Sequence, residues 1–143
     1  MRLAALLLLV PFVVGCADDP QADYCEVVEE HQAALSDIAA SEDAGAIFGA
    51  LDMYDDLHRA APRDVADDWA AVVEPLHGLE DVLTDHGVDP SAYSAESPPA
   101  DLDAEARGQI EAAARRVGSE QTVTAMAAVE QHALDVCGTP LSR

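Results

Sequence analysis

The sequence predicts an all-α protein: a four-helix-type bundle with one extra short or bent helix, its N- and C-terminal helices tied by a disulfide. Apolar residues recur at helical spacing along most of the chain, and no segment has the alternation typical of a strand. Proline and glycine interrupt this periodicity and divide it into five helical segments. One cysteine pair near the ends of the helical region supplies the predicted link.

The five helices are delimited by local signals. Pro62 separates the second helix from the third, and Gly87 is predicted as the glycine that ends the third. Pro75 predicts a kink inside the third helix, and Ser119 is a candidate cap for the fifth. The proline- and serine-rich segment 88–100 is predicted to be a loop. The predicted helices span about 23–40, 43–61, 64–87, 101–117 and 120–136. The stripes expected to face inward are Val65, Trp69, Val72, Leu76, Leu79 and Leu83 on helix 3, and Val123, Met126, Ala127 and Leu134 on helix 5.

The first sixteen residues have the layout of a bacterial lipoprotein signal. Arg2 precedes an apolar run over 3–14, which is shorter than the roughly 20 residues of a permanent membrane span. The tetrad VVGC ending in Cys16 resembles the lipobox, in which the cysteine thiol receives a diacylglyceryl group and cleavage occurs just before it. The alternatives are an ordinary signal with an incidental cysteine, or an uncleaved anchor. We expect a signal peptide over 1–15, a lipidated tether over 16–22 and a helical domain over 23–143.

Charge restricts the expected partners. The 143-residue chain has 28 acidic residues, no lysine and a net charge of −21. A domain this acidic repels nucleic acid and anionic lipid headgroups. We therefore expect no nucleic-acid partner, and we assign the membrane contact to the lipid on Cys16. We expect the lipid on Cys16 to hold the domain at the extracytoplasmic face of the cell membrane.

Two cysteines remain once Cys16 is acylated, Cys25 and Cys137. In an oxidising, extracytoplasmic compartment this even pair predicts a disulfide. It would close a loop of roughly 110 residues, for which the chain-entropy model gives about 4–5 kcal/mol. An up-down bundle brings its two ends together only when its helix count is even. Helix 4 is therefore expected to be a short crossing element, or to form one bent unit with helix 5, and helix 5 is expected to lie antiparallel to helix 1.

Several segments resemble a group of small actinobacterial lipoproteins. These are the stretch DDWAAVVEPLHGLEDVLTDHGVDP over 67–90, the Pro98-Pro99 turn and VEQHALDVCGTPL over 129–141. The group typically has YC near the start of the exported chain and DVC near its end, as at Cys25 and Cys137 here. The resemblance covers nearly all of the exported chain. It implies the same fold, disulfide and location, and no established activity.

Three polar residues fall where the helical pattern favours hydrophobic ones. His31 lies within the apolar stripe of helix 1, His58 within that of helix 2, and Glu130 interrupts a stripe on helix 5. At about 1.5 Å per residue, His31 lies about 9 Å from Cys25 and Glu130 about 10–11 Å from Cys137, so the disulfide would bring them to one level. We expect a buried polar cluster that either specifies packing or binds a metal or ligand. His132 is expected to face away from the apolar stripe of helix 5.

The sequence favours a binding or structural role over catalysis. It contains no nucleophile elbow, phosphate-binding loop, zinc-protease or EF-hand motif, so we expect neither enzymatic activity nor a cofactor. The preferred hypothesis is a structural or protein-interaction module that contacts another envelope protein. In that case the loop 88–100, with Tyr93, is either the contact segment or a plain connector. The alternative is a small ligand- or metal-binding lipoprotein that uses the His31, His58 and Glu130 cluster.

Overall fold

The computed structural model describes residues 19–143, and within them the chain forms five α-helices and no β-strand. The predicted signal peptide and residues 16–18 of the predicted tether, Cys16 among them, lie outside the described residues. The remaining tether is shorter than expected, because α1 already begins at Pro20. Three short turns complete the structure: 3₁₀ turns at Ala44–Ala50 and Pro90–Ala92, and a π turn at Ala133–Cys137. The predicted fold class is confirmed. The helices are α1 (Pro20–Ala39), α2 (Leu51–Ala60), α3 (Ala66–Asp85), α4 (Ala104–Val117) and α5 (Glu120–His132).

The helix ends follow from capping residues that the sequence displays. The side chain of Ser119 accepts a hydrogen bond from the Thr122 amide at 3.2 Å, as its predicted role at the start of α5 requires. Beyond α3, Gly87 adopts a φ of +69°, and the Val88 amide donates back to the Leu83 carbonyl. Both predicted boundaries are confirmed. α3 runs through Pro75 without interruption.

α3 is the central helix, in contact with α2, α4 and α5, while α1 packs on α2 and on the π turn. Its predicted apolar stripe is entirely buried: Val65, Trp69, Val72, Leu76, Leu79 and Leu83. One core joins α1, α2, α3 and α5, and a second lies between α3 and α4. Tyr93, expected in a contact loop, is buried in this second core. It is therefore part of the packing and not a contact residue.

The short member of the bundle is α2 and not helix 4, which corrects our expectation for helix 4. The predicted second helix divides into the 3₁₀ turn at Ala44–Ala50 and the ten-residue α2. Within this turn the chain approaches the Pro90–Ala92 turn closely at Gly45, where an added Cβ would overlap the backbone of Ser91. α4 is a regular helix of 14 residues packed on α3. No helix within the described residues has the length and hydropathy needed to cross a membrane.

Candidate functional site

The predicted disulfide ties the two ends of the domain. Cys25 of α1 is bonded to Cys137 of the π turn, with their Cα atoms 5.2 Å apart. This confirms the pairing and accounts for two of the three cysteines of the chain. At this end α1 contacts the π turn, whereas α5 itself packs mainly on α3. The expected packing of helix 5 along helix 1 is therefore limited to the disulfide end.

α5 is rotated relative to its predicted orientation. Its buried residues are small or slender: Thr122, Ala125, Val129 and, in the π turn, Ala133. The side chains predicted to face inward face outward instead, since Val123 is 61 % exposed and Leu134 is 47 % exposed. Small inward side chains allow α5 to approach α3 closely. The larger apolar stripe is thereby left at the surface. We call it the outer α5 face, which comprises Val123, Met126, Ala127, Glu130 and Leu134.

The rotation of α5 disperses the predicted polar cluster. Glu130 is exposed, and His58 is half-buried on α2, so the expected buried cluster of His31, His58 and Glu130 is wrong. Within residues 19–143, no group of three or more histidine, cysteine, aspartate or glutamate side chains could hold a metal ion. His31 of α1 instead belongs to an interhelical pair with a carboxylate of α2.

His31 is paired with Asp56 of α2. Its Nε2 atom lies 3.2 Å from Oδ2 of Asp56, whose Oδ1 accepts a hydrogen bond from Arg59 Nη1 at 2.6 Å. These two partners, Arg59 foremost, hold the pKa of the Asp56 carboxyl below its usual value. Sequence reasoning missed Asp56, although its i, i+3 spacing from Arg59 is a visible signal of a charge pair on one helix face.

His132 lies opposite the Val123 and Leu134 stripe, as expected, but because that stripe faces outward the His132 ring packs on the core. Its ring packs edge-on against Tyr24, with the ring centroids 5.5 Å apart. Trp69 Nε1 donates a hydrogen bond to the Tyr24 hydroxyl at 3.1 Å, and burial raises the pKa of Tyr24. Nε2 of His132 lies 3.4 Å from Oδ2 of Asp64, an ion-pair distance, but neither ring nitrogen forms a hydrogen bond within residues 19–143. Tyr24 is next to Cys25 in sequence, and His132 lies five residues before Cys137. The contact between their rings therefore packs the disulfide end of the bundle.

A cavity of about 190 Å³ lies between the C-terminal half of α1 and α5. Its walls are mainly apolar, and the charged residues that line it are Asp43 and Glu130. A second, almost entirely apolar pocket of about 210 Å³ lies next to it. The two share Ile47, Tyr54 and Met126 as a common wall. Burial and the nearby Glu130 carboxylate raise the pKa of Tyr54.

The chain's C-terminal segment closes one side of this cavity. Leu141 is buried and lines the cavity together with Ser142. The segment is held against α1 by hydrogen bonds from Gln32 Nε2 to the Pro140 carbonyl at 2.7 Å and from the Arg143 amide to Ser36 Oγ at 3.0 Å. Because Met126 and Glu130 line the cavity and also belong to the outer α5 face, the two adjoin. This region, an apolar surface that includes Glu130 and lies beside Asp43, is the candidate functional site.

Comparison with protein-family models, with curated proteins and with solved structures finds no match for this chain. The proposed function therefore rests on the geometry and charge of the candidate functional site.

Proposed function

We propose that this chain is a lipid-anchored protein of the extracytoplasmic membrane face whose helical domain is a structural or protein-interaction module. The anchor is the lipid on Cys16. This is supported by the apolar run over 3–14, by the lipobox-like tetrad, and by a disulfide that engages the other two cysteines. We further propose that the chain belongs to the group of small actinobacterial lipoproteins that it resembles.

The observation that carries the interaction role is the outward position of the larger apolar residues of α5. Val123 of α5 and Leu134 of the following π turn remain exposed, while Thr122, Ala125 and Val129 occupy the buried side of α5. Contiguous apolar surface beside pockets is typical of protein-binding sites, whereas scattered single residues are not. Tyr93, the aromatic residue of the loop 88–100, is buried and therefore leaves that loop without its apolar anchor. The interaction surface is thus assigned to the outer α5 face.

The alternative, a metal- or ligand-binding lipoprotein using His31, His58 and Glu130, loses its basis. Glu130 is exposed, and His31 already pairs with Asp56.

The anchor is tested by acylation of the full chain in a bacterial host that modifies lipoproteins. Metabolic labelling with a radioactive fatty acid should mark the wild-type chain, which should fractionate with membranes. A Cys16→Ser variant should be unlabelled and leave the membrane fraction. The matched control is the Cys25→Ser, Cys137→Ser double variant, which should keep its label. Acylation that persists without Cys16 would contradict the proposal.

The interaction role is tested by photo-crosslinking in the same cells. A photoreactive benzoylphenylalanine at position 123 should give a discrete adduct of higher mass. The same residue at position 29, an exposed site on α1, is the control and should give none. Equal labelling at both positions, or no adduct at either, would show that the outer α5 face is not a binding surface.

A further inference from the structure

The outer α5 face has the dimensions of a site for one helix. At about 100° per residue its five residues fall within an arc of about 100°, and it runs for about 16 Å from Val123 to Leu134. A partner helix of about three turns would match that length, with apolar side chains at i, i+3 or i+4, and i+7. The two pockets beside Met126 provide the depressions into which such side chains insert.

The charge of the surface restricts the chemistry of this helix. The charged residues that line the pockets along the outer α5 face are Asp43 and Glu130, both acidic, in a chain of net charge −21. Glu130 lies in the middle of the face, and within residues 19–143 its carboxylate forms no ion pair. A partner that covered it with apolar atoms alone would bury an unpaired carboxylate, which is strongly unfavourable. The occupant must therefore bring a cation to that position.

A second copy of this chain is a poor occupant by the same argument. Two outer α5 faces related by a twofold axis would oppose acidic surfaces to one another, with Glu130 near the centre of each. An anionic lipid surface is excluded in the same way.

We propose that the outer α5 face binds an amphipathic helix of a partner protein whose apolar side carries one arginine or lysine, which pairs with Glu130. This deepens the proposed function and rests on it. The apolar residues of the partner contact Val123, Met126 and Leu134, and its cation lies beside Glu130 and the mouth of the cavity.

The test uses the lipidated full chain in nanodiscs of zwitterionic phosphatidylcholine, which does not recruit cationic peptides by charge. The probe is a capped 14-residue helical peptide of leucine, alanine and glutamine with one arginine in its apolar face. The matched peptide has glutamate in place of the arginine. We expect saturable binding of the arginine peptide with a Kd of about 0.1–1 mM, and binding of the glutamate peptide at least about tenfold weaker.

Methionine methyl resonances locate the binding site. With ¹³C-methyl methionine, the Met126 signal, assigned with a Met126→Leu variant, should shift on binding. Met53 lies on α2 and lines neither pocket, so its signal should not move. No Met126 shift at millimolar arginine peptide overturns the proposal.

One pair of variants tests the charge of Glu130, and a second pair tests the position of the binding site. Glu130→Gln should weaken the arginine peptide about threefold to tenfold, while Glu29→Gln, an exposed site on α1, should not. Val123→Arg should abolish binding, while Thr124→Arg, with the same change of charge one residue away, should preserve it. Val123 and Thr124 are both exposed, so we expect both arginine variants to fold.

The outcomes separate this inference from the proposed function. Equal binding of the two peptides, or no effect of Glu130→Gln, overturns the cationic helix while leaving an interaction surface that crosslinks at position 123. Dimerisation through this face, detected by sedimentation, would identify a second copy as the occupant instead and overturn the inference. Absence of any crosslink at position 123 in cells overturns the proposed function itself.

Discussion

Nε2 of His77 in α3 lies 2.9 and 3.1 Å from the two carboxylate oxygens of Asp55 in α2. Nδ1 of the same ring is 3.6 Å from Oε2 of Glu80, so the imidazole lies between two acids. The residue that follows Asp55 is Asp56, which is bonded to His31 of α1. Two consecutive aspartates of α2 therefore link this ten-residue helix to both of its neighbours.

The His77–Asp55 pair predicts that stability depends on pH. The hydrogen bond to Asp55, and then the charges of Asp55 and Glu80, raise the pKa of His77 above its ordinary value of 6.5. A raised folded-state pKa stabilises the fold below the unfolded value, and that contribution is lost as the pH rises through the folded one. We expect Asp55→Asn to lower the free energy of unfolding at pH 5.5 by about 0.2–1 kcal/mol, because the pair is partly exposed and screened by solvent.

The measurement is urea unfolding at pH 5.5 and pH 9. The loss caused by Asp55→Asn should shrink at pH 9, where His77 is neutral. Asp52→Asn, on the exposed side of the same helix, is the control and should behave alike at both pH values. A loss of equal size at both pH values would show that the charge of His77 contributes nothing.

The rotation of α5 predicts opposite results for two valines of that helix. Val129 is fully buried, and Val129→Ala removes two methyl groups from the core, so we expect a loss of about 2 kcal/mol. Val123→Ala should change the free energy of unfolding by less than about 0.5 kcal/mol, because the side chain is exposed. Chemical unfolding of both variants measures the difference. A larger loss for Val123→Ala than for Val129→Ala would instead support the orientation of α5 expected from the sequence.

Gly45 and Gly49, both in the 3₁₀ turn before α2, form a matched pair of sites. A Cβ at Gly45 would overlap the carbonyl group of Ser91, whereas a Cβ at Gly49 would meet nothing within 4 Å. The Ser91 backbone cannot move aside without disturbing the Pro90–Ala92 turn. We therefore expect Gly45→Ala to destabilise the protein by about 1–3 kcal/mol and Gly49→Ala to be neutral or stabilising. Thermal unfolding provides the comparison, and equal midpoints for the two variants would contradict this packing.

Much of the fold could be predicted because its signals are local or periodic. Ser119 and Gly87 marked helix ends, and the six-residue stripe of α3 was buried as expected. The shortness of α2 could not be predicted in this way. The neighbouring contact between Gly45 and Ser91 joins residues far apart in sequence, and no local pattern encodes that proximity.

The candidate site was harder to predict, because either of two faces of α5 could pack against the core. Hydrophobic periodicity favours the stripe with the larger side chains, which includes Val123 and Leu134. The packing distance between helices favours the stripe with the smaller ones, which includes Ala125 and Val129, and only the position of α3 decides between them. The partners of His31 and His77 were missed for the related reason that both are carboxylates on another helix.

The bond between Cys25 and Cys137 also determines how mechanical force travels through the domain. If the proposed lipid anchor and the proposed partner on α5 both hold, tension between them passes along the first turns of α1, across the sulfur atoms and directly into the π turn and α5. The segment between α1 and α5 lies off this covalent path and bears none of the load. A pull strong enough to unravel a noncovalent bundle would leave the outer α5 face attached to its anchor.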